Sequence, residues 1–306
     1  MKHQKTKRII VLGRINTTLT MNVDDIPKPK EQVTAKNVLV TPGGKGSNQA
    51  VAASRLGGKV SFVTCLGTDD FGKRLLSFLK AEGIDTGLIK FSKNTPAGMA
   101  IVILDKNSEN TIISIPGSER ELLAEDIKKI RFTDNDIAVS QLALPKEVVL
   151  AYLKRAKSGG ATTILNLAPR AKYDTTAFKF ADYLIPNESE AAFFAGSAKM
   201  SQDPPKALKY ARKIRSRPGQ VVIVTLGGNG SIALAGKEII RIPGIKVKAV
   251  DTQAAGDTFV GAFATAISEN KGLRGALEFA NKAAAICVQR HGAASSIPAR
   301  KDVDKT

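Results

Sequence analysis

The chain has 306 residues, 43% of them hydrophobic and 24% charged, enough for one large domain or a domain with an appendage. No apolar run approaches the roughly 18 residues that span a bilayer. The basic start MKHQKTKR gives way at once to RIIVLG, too short for a signal-peptide core, so the expected location is cytoplasmic. In chain order, RIIVLG (8–13) reads as the first strand, and residues 14–42 hold little that reads as helix, with Pro27 and Pro29 in their middle. A helical segment from Asn48 to Leu56 precedes the strand-like run KVSFVTCLG (59–67). Residues 96–115 read as a hairpin around the polar turn Lys-Asn-Ser-Glu-Asn. Then come IAVSQL (137–142), TTILNL (162–167), DYLIP (182–186) and VVIVTLG (221–227), with helix-like stretches between them. Helices starting near Asp257 and running from Leu277 to Gln289 close the chain.

Short continuous Val/Ile-rich strands separated by helices predict an α/β fold with a mostly parallel sheet covered by helices on both faces. The two stretches outside that rhythm predict a small separate β-sheet serving as a lid. The expected division is a core of residues 1–13, 43–95 and 116–306 and a lid of residues 14–42 and 96–115.

A net charge of +18 raises the question of nucleic acid. The densest basic stretch, Lys206 to Arg217, places Leu208, Ala211 and Ile214 on one helical face and its charges on the other, as a solvated surface helix does. Tryptophan is absent and aromatics are 5%, which leaves few platforms for stacking bases, so no nucleic-acid partner is expected. Cys65 and Cys287 lie far apart in apolar surroundings and read as buried free thiols. With only His3 and His291, histidine metal sites and Ser-His-Asp triads are not expected.

Four stretches carry chemistry. DTQAAGDTF (251–259) sets Asp257 at the mouth of a helix, after small residues that leave backbone N–H groups open to a ligand. An acid there could take a proton from a hydroxyl while the N–H groups hold a phosphoryl group; an Asp cap after a tight turn is the ordinary alternative. TPGGKGSNQA (41–50) lets backbone approach a ligand closely, but Lys45 is followed by Gly46, so it is not a Walker loop, and a flexible turn is the alternative. TLGGNG (225–230) places glycines where parallel sheets bind ligands. In PNESE (186–190), Asn187 and Glu190 could organise a metal ion with its waters or form a capping box.

In this order and at these separations the four stretches resemble the ribokinase-like (PfkB-type) carbohydrate kinases, along nearly the whole chain from RIIVLGRIN to RHGAASSIP. The resemblance implies Mg²⁺-assisted transfer of the ATP γ-phosphoryl group to a primary hydroxyl of a small sugar, D-ribose first among the candidates. It implies Asp257 as the catalytic base, with the backbone N–H groups of Ala254, Ala255, Gly256 and Asp257 as an anion hole. Asn16, Gly44, Lys45 and Asn48 match sugar-contacting positions. Asn187 and Glu190 match the motif that organises Mg²⁺ and phosphate, Glu190 through water. Thr225, Gly227 and Gly230 match the nucleotide loop, and Asn281 lies where the adenine pocket is expected. Asp251, Gln253, Cys287, Arg290, Gly292 and Ser296 match a loop for a monovalent cation, K⁺, bound mostly by backbone carbonyls. Relatives often pair through the lid, which implies a homodimer.

Two positions depart from that pattern. Members usually carry an Asp two residues beyond the Asn of GxIN, where this chain has Thr18, and a Glu just after the strand IAVSQL, where it has Ala143. A carboxylate accepts two hydroxyl bonds at once, whereas Thr offers one rotatable hydroxyl and Ala none. A different sugar or a nucleoside as acceptor, or a sensor without turnover, are the alternatives this opens. Arg14, where a small residue is usual, adds positive charge near the lid and suggests an anionic acceptor.

Overall fold

A computed structural model describes residues 6–107 and 109–305, with the backbone alone at Asn110. The first five residues of the basic tail, His3 among them, and Ser108 in the hairpin turn lie outside the described residues. The order begins β1 (Arg8–Leu12), β2 (Asn16–Asn22), β3 (Asn37–Gly43), α1 (Lys45–Arg55), β4 (Lys59–Val63) and β5 (Cys65–Gly67). It continues with α2 (Asp70–Ala81), β6 (Lys90–Ser92), β7 (Met99–Leu104), β8 (Asn110–Ile115) and α3 (Ala124–Lys128). The regular alternation follows: β9 (Asp136–Gln141), α4 (Lys146–Ser158), β10 (Thr162–Asn166), β11 (Tyr183–Ile185), α5 (Glu188–Phe194), α6 (Pro204–Ile214) and β12 (Val221–Thr225). A hairpin, β13 (Ser231–Ala235) and β14 (Glu238–Ile242), precedes α7 (Ala255–Ser268), α8 (Leu273–Cys287) and α9 (Arg300–Asp304).

The main sheet has eight strands in the order β14-β13-β12-β11-β10-β9-β1-β4. Its pairings are parallel from β12 through β4, and β13 runs antiparallel to both neighbours. Alternate residues of each strand feed two cores. Ile9, Val11, Ile137, Val139 and Ile223 pack toward α1, α7 and α8, while Ile10, Leu12, Ala138, Val222 and Val224 pack toward α4 and α6. Burial on both faces is why these strands read as continuous apolar runs. The expected α/β class is the observed one.

Three details differ from the sequence reading. The run 59–67 is not one strand: β4 ends at Val63, the Thr64 carbonyl accepts the Lys90 N–H at 3.0 Å, and β5 pairs with β6 instead. The β13–β14 hairpin extends the sheet beyond the expected strands, turning at Gly236 with φ +62°. On α6 the buried face is Ala207, Tyr210, Ala211 and Ile214, and Leu208 is only half-buried at its margin.

Strands β2, β3, β7 and β8 form a separate four-stranded sheet, order β3-β2-β7-β8, with Gly43 at its edge. Its register aligns Thr41, Thr18, Ala100 and Ser114 in one row and Leu39, Thr20, Val102 and Ile112 in the next. Because strand side chains alternate between faces, both rows project to one side, and that side roofs a cavity over the main sheet.

One helix pair positions the site. Helix α1 is built of small residues, and a Cβ at Gly261 of α7 would come within 2.6 Å of both Ala52 Cβ and the Gln49 carbonyl. Without it the two helices close to near backbone contact. That approach brings the side chains of Asn48 and Gln49 against Asp257.

Candidate active site

The cavity between the main sheet and the small one measures about 950 Å³. Its floor is the carboxyl end of the parallel strands, where strand order reverses around β1 and open α/β sheets take ligands. Ala143, Asn166, Ile185, Asn187 and Thr225 all follow or end such strands and lie on its wall.

Asp257 stands in the first turn of α7, 6% exposed, and faces this space. Its Oδ2 accepts from Asn48 Nδ2 and its Oδ1 from Gln49 Nε2, both at 3.0 Å. Asn48 Oδ1 is buried and meets no partner among the described residues, which leaves an acceptor beside the carboxylate. The turn before α7 is shaped by Ala254, whose φ of +56° is left-handed. For a residue with a Cβ that conformation costs on the order of 1–2 kcal/mol, a strain that concentrates at functional sites. It splays the amides of the turn. Ala255 N–H turns back to the Thr252 carbonyl at 3.4 Å, and the helical ladder starts with Thr258 N–H to the Ala254 carbonyl at 2.7 Å. Among the described residues the Gly256 and Asp257 N–H groups meet no backbone acceptor. Nothing lies within 4 Å of where a Gly256 Cβ would be, so an anion has open access there. Ala254, Gly256 and Asp257 are on the cavity wall; Ala255 is not.

Asn16, Thr18, Gly44, Lys45 and Asn48 are gathered on the same wall. Gly44, at φ +103°, is needed as glycine, because a Cβ would meet the Arg14 carbonyl at 2.7 Å and Asn16 Oδ1 at 3.0 Å. Thr18 and Ala143 both face the cavity, so the two missing carboxylates are missing from the wall itself. Arg14 also lines the cavity and carries a counter-ion. Its Nε lies 3.0 Å from Glu119 Oε1, a carboxylate 3% exposed that also accepts the Gly117 N–H at 2.9 Å. Glu119 thus balances part of the positive charge that Arg14 brings to the cavity wall.

Asn187 and Glu190 form a reciprocal capping box: Asn187 Oδ1 accepts the Glu190 N–H at 2.8 Å and Glu190 Oε2 the Asn187 N–H at 2.9 Å. Both also line the cavity, so the cap and the ligand-facing reading coexist. Burial pushes the Glu190 carboxyl above its ordinary range; the Asn187 N–H and the Lys45 charge pull it down, and the Asp257 and Glu188 charges push it further up. Thr225 reaches the wall, whereas Gly227, Gly230 and Asn281 do not. Gly230 packs on the backbone of 242–244, and Asn281 Nδ2 donates to the Ile242 carbonyl at 3.4 Å, so these two meet around the end of β14.

The remaining expected positions tie two loops together. Asp251 accepts the N–H of Gln253 and that of Gly292, each at 2.9 Å. Cys287 Sγ lies 3.1 Å from Ser296 Oγ and 3.7 Å from the Gln253 carbonyl, and burial pushes its thiol up. Arg290 turns its side chain to Asp302 at 3.0 Å. Asp251, Gln253 and Gly292 line the cavity next to the open amides; Cys287, Arg290 and Ser296 do not.

Sequence reasoning missed the buried amides Gln49, Gln141 and Asn166, joined by hydrogen bonds beneath Asp257. It also missed Thr20 and Asn22, although the alternation Asn16, Thr18, Thr20, Asn22 is a visible one-face signal, and His291, which lies on the wall.

A buried carboxylate beside an open amide turn, at the switch point of a parallel sheet and under a β roof, is an arrangement suited to phosphoryl transfer to a hydroxyl. The model of the pfkB family of carbohydrate kinases matches residues 6–300, and the chain belongs to that family, a sugar kinase. A ribokinase of Haemophilus influenzae is 38% identical over 299 residues, with 97% of each chain covered. The crystal structure of a Thermotoga maritima ribokinase superposes with a TM-score of 0.87 at 37% identity, covering 98% of both chains. An Arabidopsis thaliana ribokinase solved with ribose and ATP gives 0.87 at 29% identity, again over 98% of each.

Proposed function

We propose that this chain is an ATP-dependent ribokinase that phosphorylates the primary hydroxyl of D-ribose. The observation that carries the reading is Asp257, held by two amides, with its own N–H and that of Gly256 meeting no backbone acceptor among the described residues. The carboxylate accepts the hydroxyl proton as the oxygen attacks the γ-phosphorus, the bond from that phosphorus to the bridging oxygen breaks, ADP leaves with that oxygen, and the amides hold the transferring phosphoryl oxygens. Positioning and charge stabilisation supply most of the rate in such displacements. An ADP-release assay over ribose, deoxyribose, fructose and nucleosides tests it. Ribose should give the highest kcat/KM, and no turnover of any sugar would overturn the reading. A second reading, a different sugar or a nucleoside, is favoured by Thr18 and Ala143 on the wall; preference for another acceptor in the same panel would establish it.

Glu190 fits a Mg²⁺ ion held through water, since one buried carboxylate facing the cavity is what a metal that keeps its hydration shell requires of the protein. When bound, the ion neutralises charge on the phosphates. Glu190→Gln separates this from capping, because Gln preserves the acceptor of the box. The raised carboxyl lends stability that is complete below the ordinary value of 4.5 and fades as pH rises through the folded value. The Gln variant should therefore match or exceed the parent's melting temperature at pH 7–8. Its turnover should nevertheless fall roughly 10–100-fold, most at low Mg²⁺. Loss of melting temperature with full turnover would make Glu190 a cap alone.

Asp251 with neighbouring carbonyls suits a singly charged cation, since one carboxylate already engaged by two N–H groups offers little to a divalent ion. No trio of metal-binding side chains occurs among the described residues. We expect potassium to raise kcat over sodium; equal rates in the two salts would remove this site. The face of the small sheet away from the cavity exposes Val38, Val40, Ile113 and Ile115, an apolar surface suited to pairing two copies. No described helix is long and apolar enough to cross a membrane, and a cytoplasmic location suits the two buried free thiols.

A further inference from the structure

Behind the base lies a chain of buried amides that the reaction so far has not used. Gln49, with no exposed surface, donates from Nε2 to Asp257 Oδ1 at 3.0 Å and to Asn166 Oδ1 at 3.1 Å. Its Oε1 accepts from Gln141 Nε2 at 2.6 Å, and Asn166 Nδ2 donates to the Ile185 carbonyl at 2.7 Å. One end of the chain fixes every direction in it. A backbone carbonyl only accepts, so Asn166 must turn its NH₂ to Ile185 and its oxygen to Gln49. Gln49 must then turn its NH₂ to Asn166 and Asp257 and its oxygen to Gln141. The amide facing Asp257 Oδ1 is therefore a locked donor; Asn48 also donates to the other oxygen, but its Oδ1 meets no partner among the described residues, so only the carboxylate sets its direction.

These groups come from α1, α7, β9, β10 and β11, so the carboxylate is referenced to the sheet and not only to its own helix. Space behind the relay is closed as well. Gln141 Oε1, which meets no hydrogen-bond partner among the described residues, fills the place a Cβ on Gly13 would take, 2.4 Å from it, so the amide packs directly on the Gly13 backbone. A core of this kind is more simply filled by apolar side chains, because every buried amide needs its partners. A relay that ends on the base gives those polar groups a purpose.

We propose that Gln49, anchored by Asn166 and Gln141, is a positioning residue that fixes the rotation of the Asp257 carboxylate toward the acceptor hydroxyl. The proposal rests on Asp257 being the base. Misplacement of a reacting group by about 1 Å costs on the order of 10²-fold, so Gln49→Leu is expected to lower kcat about 10–100-fold while KM for ATP and sugar stays within about twofold.

The deciding experiment is a double-mutant cycle with Asp257→Asn, read as residual ADP release alongside melting temperatures. If Gln49 acts through the base, Gln49→Leu costs less than about twofold further in the Asp257→Asn background. A full second loss there would show a merely structural role and overturn the proposal. Since Gln49→Leu strands both the Gln141 amide and Asn166 Oδ1, the pair Gln49→Met with Gln141→Met removes the Gln141 donor along with its acceptor and leaves only the Asn166 oxygen without its Gln49 donor. That pair should show the same fall in kcat while remaining folded, and parental kcat in it would overturn the proposal. Parental kcat in Asp257→Asn alone would remove the base, and the positioning role with it; the cycle thus separates the two failures.

Discussion

Asp257→Asn is expected to lower kcat by about 10²–10⁴-fold, the usual worth of a general base, with both substrates still binding. The substitution is close to isosteric, and the surroundings can take it without unfolding. Gln49 presents a locked donor to one carboxylate oxygen, so the new side chain places its remaining oxygen there. Its new NH₂ group then faces Asn48, whose amide is free to turn and offer its oxygen instead. Melting temperature should change little, and calorimetric titration with ATP should give an affinity near the parent's. The Gly256 and Asp257 N–H groups stay in place, so residual turnover above the uncatalysed rate is expected from the anion site and from positioning alone. Unchanged kcat would show that the hydroxyl proton leaves by another route. Loss of ATP binding would show that Asp257 shapes the nucleotide site rather than the chemistry.

The order of the fold was readable because its strands are buried on both faces and so appear as unbroken runs such as RIIVLG and VVIVTLG. The small sheet was readable as an interruption of the βα rhythm. The β13–β14 hairpin was not, since SIALAGKEIIRI follows the Gly-rich loop so closely that it merges with the loop signal. At the site, spacing alone left Asp257 and Asn187 open between a ligand-facing role and an ordinary cap; what gave them meaning was four stretches in one order. Glutamine 49 sits inside a motif that drew attention for its glycines and lysine. Its partners lie 92, 117 and 208 residues away in sequence, and no local pattern announces a contact of that kind. Arg14 shows the converse limit. A cation near a binding loop suggests an anion, and Arg14 does line the cavity, but its partner Glu119, folded in from beyond the hairpin, has no local signal.

Restoring the two absent carboxylates, Thr18→Asp with Ala143→Glu, is expected to lower KM for ribose by roughly 10²-fold or more with little change in kcat. Each charged hydrogen bond is worth about 1.5–3 kcal/mol, and 1.4 kcal/mol is a factor of ten. The two contacts share one ligand, so their effects need not add, and both single variants belong in the measurement. The fold can accept the changes. Thr18 Oγ1 lies where a Cβ on Gly43 would come within 2.3 Å, so the position admits a side chain of about the size of Thr or Asp. Both positions are half-buried and open to the cavity, so the new charges remain hydrated until the sugar arrives. A fall in KM for ribose means that the acceptor site is of ribokinase type, working with weakened grip in the parent. If ribose is not improved while turnover of another acceptor is lost, the neutral wall at Thr18 and Ala143 selects that other acceptor. The carboxylates are then absent because its groups at those places do not need an acceptor of negative charge.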